Sequence, residues 1–274
     1  MKSSLLTRLW HSSPASLTRA LQRRLERRQC KPGWFTVRAG PLKGLELFLP
    51  NDRVGDLAAM VAGTFDAFLY DALLKRRKLE AAVCWDVGAH IGYHSLGFAA
   101  LGAEVLCFEP NPANAARLKL HLERNQPLAC RVRHLGVALS DGDGEMTFMQ
   151  DTNLDRGSTG SHLMGVKTPL RNESYATFER VTVPTLRIDS LIEERGERPP
   201  EVIKIDVEGA EALVLRGGAR FFADGHPIIL MEVHHIRAMA EVQHLLDGWG
   251  YRVEILEDDE SSASRCFLLA RREV

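Results

Sequence analysis

The 274-residue sequence predicts an α/β fold, a mostly parallel sheet with helices on both faces, and three stretches carry that prediction. Residues 83–85 and 105–108 are short apolar runs flanking a Gly-punctuated turn and helix, and each run ends in a carboxylate, Asp86 or Glu109. Residues 201–205 open a second strand–turn–helix pattern, whose strand ends in Asp206. Residues 227–233, PIILMEV, are almost unbroken apolar, as expected of a parallel strand covered on both faces.

In chain order, residues 1–31 carry Lys2, Arg8, Arg19, Arg23, Arg24, Arg27, Arg28 and Lys31 against the single acid Glu26, with Leu17, Leu21 and Leu25 on one helical face. This predicts a basic helical extension over 1–32, ahead of a catalytic domain over 33–274, with a face suited to peripheral contact with an anionic membrane or a partner. No apolar run there has the length of a secretory core or a membrane span. Residues 34–49 alternate around Gly40-Pro41 and Lys43-Gly44, the pattern of a hairpin. Residues 64–79 read as a helix through Phe65, Phe68, Leu69, Ala72 and Leu73, closed by the basic run 75–78. A helix over 112–125, a third strand over 132–139 and a strand over 144–149 follow. The polar stretch 151–178 is too long for a connector and reads as an acceptor-side loop. Then come a strand at 181–183, helices over 186–195, 212–222 and 238–248, and two last strands, 252–256 and 267–270. A hairpin between those two would add one antiparallel strand to a parallel sheet.

Composition narrows the function classes. A net charge of −1 gives no basic surplus for phosphate recognition, so no nucleic-acid partner is expected. None of the five cysteines forms a C-x-x-C pair, and Cys84 and Cys107 fall in predicted buried strands, which suggests free thiols in a reducing, cytoplasmic setting.

Turn chemistry selects the ligand. Dinucleotide sites use G-x-G-x-x-G to close backbone on a pyrophosphate, whereas Gly88 and Gly92 make a G-x-x-x-G turn two residues after Asp86. An acid there suits a cation. S-adenosylmethionine fits, because it carries a sulfonium and an ammonium, has no phosphate, and offers two ribose hydroxyls to an acid about 20 residues on, the role for which Glu109 is spaced. A plain βαβ turn, a nicotinamide-dependent oxidoreductase and a non-catalytic cofactor-binding module are the competing readings.

Transfer of a methyl from such a cofactor is an in-line displacement, and an acceptor atom that carries a proton must lose it, so a base would be needed beside the methyl. Asp206, Glu208 and Glu211 follow one strand, while Glu232, His234 and His235 end the next, with His90 and His94 on the first turn. Asp206 and Glu208 are the carboxylate candidates, against a reading as caps of the helix near Ala210. Glu211 reads as a surface residue, and His234 is the imidazole candidate for the base. A divalent-ion reading would collect some of these histidines and acids, but no metal-ligand spacing is present, so no metal set is expected.

Assembled, DVGAHIGYHS at 86–95, FEPNP at 108–112, LRIDSLI at 186–192 and IKIDVEGAEALVLRGG at 203–218 followed by PIILMEV resemble the FkbM family of S-adenosylmethionine-dependent methyltransferases, from residue 34 to the C-terminus. The resemblance implies a Rossmann-like class I methyltransferase fold, a seven-stranded sheet whose last strand is antiparallel. It also implies transfer mainly to oxygen, on small-molecule or glycan acceptors. It would set Asp86, Gly88 and Gly92 around the methionine part of the cofactor, Glu109 on the ribose with Asn111 beside it, and Asp206 facing the methyl. Two positions depart from the family pattern. Val137 stands where many relatives have an acid, leaving adenine to the Ala138 backbone or to Ser140 and Asp141, and His90 stands where many have Asn.

Overall fold

Period-two alternation in the central strands divides their side chains between two cores. The computed structural model describes residues 32–50, 55–151, 161–163, 178–256 and 266–272. The basic extension 1–31, most of the polar stretch 151–178 and the turn 257–260 lie outside the described residues.

The chain opens with a hairpin, β1 (Gly33–Thr36) and β2 (Glu46–Leu49), and two short helices, α1 (Gly55–Ala62) and α2 (Ala67–Leu74). The first βαβ unit follows as β3 (Val83–Val87), α3 (Tyr93–Ala100) and β4 (Glu104–Phe108). Next come α4 (Pro112–Arg124), β5 (Val132–Leu135), β6 (Ala138–Leu139), β7 (Gly144–Asp151), β8 (His162–Leu163), β9 (Phe178–Leu186) and α5 (Ile188–Glu193). The second unit is β10 (Val202–Ile205), α6 (Glu211–Gly217), α7 (Ala219–Asp224) and β11 (Ile228–Val233). Helix α8 (Ile236–Gly248), β12 (Arg252–Leu256) and β13 (Cys266–Arg271) close the described chain.

Seven strands form the main sheet in the order β12-β13-β11-β10-β3-β4-β5. Strands β11, β10, β3, β4 and β5 pair in parallel, and β13 runs antiparallel to both of its neighbours, as the two-strand ending predicts. Cys84, Val202 and Leu230 face one core with the hairpin and α1–α3, while Trp85, Val87, Ile203, Ile205 and Met231 face the other with α5–α8. The even-numbered phase therefore also carries Asp86, Lys204 and Glu232 on the first face.

Two predicted elements are divided. The strand read over 132–139 ends at Leu135; past Gly136, β6 leaves the main sheet to pair with β9 in a separate four-stranded sheet, β6-β9-β7-β8. The helix read over 212–222 breaks at Gly218, where an added Cβ would meet Phe222 Cε2 at 2.8 Å and Ile188 Cβ at 3.0 Å. Within the stretch read as a loop, His162 and Leu163 pair with β7.

Candidate active site

Register brings the two turn motifs level at the carboxyl ends of β3 and β10, where ligands bind in open α/β sheets. Lys204 pairs with Asp86 and Ile205 with Val87, and the Asp206 N–H donates to the Val87 carbonyl at 3.0 Å. Gly88 fits into this junction at φ +79°, where an added Cβ would lie 1.8 Å from the Asp206 carbonyl oxygen. Only glycine permits that approach.

On the other side of the turn, Glu109 is buried and holds the loop by its backbone. Its Oε2 accepts from the His90 N–H at 2.8 Å and its Oε1 from the Asn111 N–H at 2.8 Å. Burial pushes its carboxyl up to about 7, against the lowering effect of those donors. His90 sits at φ +52°, a region in which Asn and His are both enriched, which gives a backbone reason for His to replace Asn here. Asn111 is buried, caps α4 by accepting from the Ala113 N–H at 2.9 Å, and donates to Ser161 Oγ at 3.1 Å. Gly92, at φ +84°, is the N-cap of α3 and packs on Leu118. These features suit S-adenosylmethionine: a glycine turn open to close backbone approach, and beside it a desolvated carboxylate that gains from hydroxyl donors.

Asp86 has no exposed surface. It accepts from Ser95 Oγ at 2.5 Å and lies 3.5 Å from Lys204 Nζ, so it supports the site from beneath. Lys204 also reaches Asp206 Oδ2 at 3.3 Å. Burial would lower that ammonium, but Asp206 and Asp86 hold it above the usual lysine range. Burial would likewise raise the Asp206 carboxyl, but Lys204 and then His234 outweigh it and hold it below the usual range.

His234 is the hub of the second cluster. Its Nδ1 is 2.8 Å from Glu211 Oε1, and its Nε2 is 3.3 Å from Glu232 Oε1, 3.6 Å from Asp206 Oδ1 and 3.6 Å from Glu208 Oε2. Burial would lower the imidazole; Glu211, Glu232, Glu208 and Asp206 together push it up to about 11. Glu208 lies at φ +51° in the turn, an uncommon backbone for a non-glycine residue.

The helix-cap reading fails on position: the N-cap of α6 is Ala210, and it is Glu211 that accepts from the Gly209 N–H, at 2.9 Å. Glu211 is fully buried, which corrects its reading as a surface residue. Lys204 and Glu232 went unassigned at sequence level, although a lysine and a glutamate inside apolar strands are a signal in themselves. His235 is set apart as the cap of α8, its Nδ1 accepting from the Arg237 N–H at 3.0 Å. His94 bridges Asp66 and Tyr70, at 3.1 Å from each.

The residues expected at adenine fall at the exit of β6. Ala138 pairs with Thr185 of β9, the Ser140 N–H donates to the Leu186 carbonyl at 3.0 Å, and Asp141 pairs with Arg216 at 3.3 Å. These groups tie β6 to β9 and α6.

Residues 86–253 match the methyltransferase FkbM domain. The chain is 30% identical over 204 residues to the hexuronic acid methyltransferase AglP of Haloferax volcanii, covering 73% of this chain and 75% of that one. It is 32% identical over 212 residues to the 31-O-demethyl-FK506 methyltransferase FkbM of Streptomyces tacrolimicus, covering 69% and 80%. It is 34% identical over 143 residues to the 2-O-methyltransferase NoeI of Sinorhizobium fredii, covering 50% and 57%. Both turn motifs and the His234 cluster fall inside the matched domain, and the chain belongs to the FkbM family as an S-adenosylmethionine-dependent O-methyltransferase.

Proposed function

We propose that the acceptor is a hydroxyl of a sugar, a glycan or a secondary metabolite, bound over the acids that follow β10 and β11. The observation that carries this reading is the His234 cluster, four carboxylates around one imidazole, next to the Gly88 turn. The acceptor class is supported by the hexuronic acid named for one relative and the 31-O-demethyl-FK506 named for another. No single helix among the described residues is long and apolar enough to cross a membrane.

S-adenosylmethionine, when bound, supplies an electrophilic methyl on a positively charged sulfur. The Asp86–Gly92 turn, Glu109 and Asn111 would hold it, with Glu109 taking the ribose hydroxyls in place of water. Asp206 stays ionised because Lys204 and His234 hold its carboxyl low, which suits it to orienting the hydroxyl and to facing positive charge. His234 already carries a proton at neutral pH in the ligand-free protein, so it is a poor acceptor for another. That passes the proton-acceptor role to Glu208, which is partly exposed on the same cluster.

The test is incubation of the protein with methyl-labelled cofactor and hydroxylated acceptors, hexuronic-acid glycosides among them, with fragmentation spectra to locate the methyl. Label on a hydroxyl oxygen, reduced about 10²- to 10⁴-fold by Glu208→Gln, is the expected result. Label confined to nitrogen or carbon atoms would overturn the reading.

A further inference from the structure

We propose that Asp206, Glu232 and His234 form a divalent-cation site of the Mg²⁺ or Mn²⁺ type, open toward Glu208, which would hold the acceptor through two neighbouring oxygens. Ligand atoms of these three residues lie within 4.8 Å of one another although they come from two strand ends. The His234 Nε2 separations of 3.3 Å to Glu232 and 3.6 Å to Asp206 and to Glu208 exceed the roughly 2.7–2.9 Å of a charge-assisted N–H···O bond. They approach the edges of a coordination polyhedron: donors about 2.1 Å from an ion stand about 3.0 Å apart in an octahedron and about 3.4 Å apart in a tetrahedron.

Orientation supports the same reading. Glu211 Oε1 takes the Nδ1 side of the ring at 2.8 Å and turns Nε2 toward the other acids, the support that ligating imidazoles receive from a carboxylate behind them, and a bound cation would displace the proton that Nε2 carries in the ligand-free protein. Asp206 gives Oδ2 to Lys204 and keeps Oδ1 on the His234 side. Glu211 is fully buried, and among the described residues its second oxygen, Oε2, has no hydrogen-bond partner.

Oxygen-rich donors with a single imidazole favour Mg²⁺ or Mn²⁺ over thiolate-seeking metals. Glu232 and His234 are buried while Asp206 and Glu208 are partly exposed, so the open positions of the ion would face the acceptor side. Two adjacent oxygens, a vicinal diol or a hydroxy acid, match such a pair of positions. This last step rests on the proposed function; the metal site itself does not.

The experiment titrates chelator-treated full-length protein with MnCl₂, reading free Mn²⁺ by electron paramagnetic resonance, with MgCl₂ as competitor. One Mn²⁺ per chain is expected, displaced by Mg²⁺ and weakened about 10- to 100-fold by Glu232→Gln and by Asp206→Asn, while Glu241→Gln on the surface changes nothing. Circular dichroism controls for folding, and if Glu232→Gln misfolds, the partly exposed Asp206 carries the comparison. Absence of binding by wild type at millimolar Mn²⁺, or binding indifferent to both substitutions, would overturn the site. Titration of the same samples with S-adenosylhomocysteine reports separately on the cofactor reading.

Discussion

Glu109 is a buried carboxylate held near its protonation point, and that makes cofactor affinity pH-dependent. Its carboxyl is raised to about 7 by burial, so in the ligand-free protein this group's contribution to stability is full below its ordinary value and is lost as pH rises through about 7. Hydroxyl donors from the cofactor favour the ionised form, so affinity moves the other way. S-adenosylhomocysteine should bind more tightly as pH rises from about 6 to about 8, by up to about tenfold per unit below the pKa, and Glu109→Gln should flatten the profile in calorimetric titrations. Asp206→Asn keeps the shape of the side chain and removes its charge. Turnover should fall about 10²- to 10⁴-fold with cofactor affinity nearly unchanged, and near-wild-type turnover would remove Asp206 from the chemistry. Lys204→Met leaves Asp86 and Asp206 without their shared cation, and urea unfolding should show a loss of about 3 to 5 kcal/mol. At this scale the sequence made Gly88, Glu109 and Asp206 legible because turn and strand-end positions are local properties. Glu211 was not legible, because burial in the first turn of a helix depends on what packs over it, here His234 from another strand.

The contact between the two turns is an element-scale feature, made by backbone rather than by side chains. Gly88→Ala would place a methyl where the Asp206 carbonyl oxygen already sits and would also demand a left-handed backbone from alanine. The sum is about 2 to 5 kcal/mol of destabilisation, about 1 to 2 from the backbone and about 1 to 3 from overpacking. Because the strain falls on the cofactor turn and on Asp206 together, affinity and turnover should drop in the same variant, as measured by calorimetry and by initial rates. Gly217 makes an equally close junction at the end of α6, since an added Cβ would meet the Ser140 carbonyl oxygen at 2.0 Å. This fixes α6 against the exit of β6, and accounts for one glycine of the RGG ending of the second motif. The division of residues 132–139 had one local signal, Gly136, set in an otherwise strand-like run, VRHLGVAL. Which sheet receives Ala138 and Leu139 depends on β9, more than 40 residues later, and period alone does not encode a partner at that distance.

At the scale of the whole molecule, the hairpin packs on the face of the sheet that carries α3, and this decides where the chain can be shortened. Val37, Leu42, Leu47 and Leu49 share a core with Leu73 of α2 and Leu96 of α3. Asn125 Oδ1 accepts from the Glu46 N–H at 2.8 Å, and His121 Nε2 accepts from the Phe48 N–H at 2.8 Å, tying β2 to α4. Helix α4 starts at the Asn111 cap beside Glu109, so the hairpin is linked to Glu109 through one helix. The alternating pattern around Gly40-Pro41 made the hairpin legible, but its place against α4 was not, because those hydrogen bonds join residues more than 70 positions apart. A chain beginning at residue 32 retains every one of these contacts and should bind S-adenosylhomocysteine as the full chain does. At a hundredfold excess over Kd the ligand should stabilise both by about 2.7 kcal/mol, raising Tm by roughly 5 to 10 °C. A chain beginning at residue 55 lacks the hairpin, exposes the apolar faces of α2 and α3, and should give no cooperative melting transition in the same thermal scan. Equal ligand-induced shifts in the full and the 32-start chains, with no transition in the 55-start chain, would place the boundary of the folding unit at the hairpin; loss of the shift in the 32-start chain would assign residues 1–31 to the cofactor site instead.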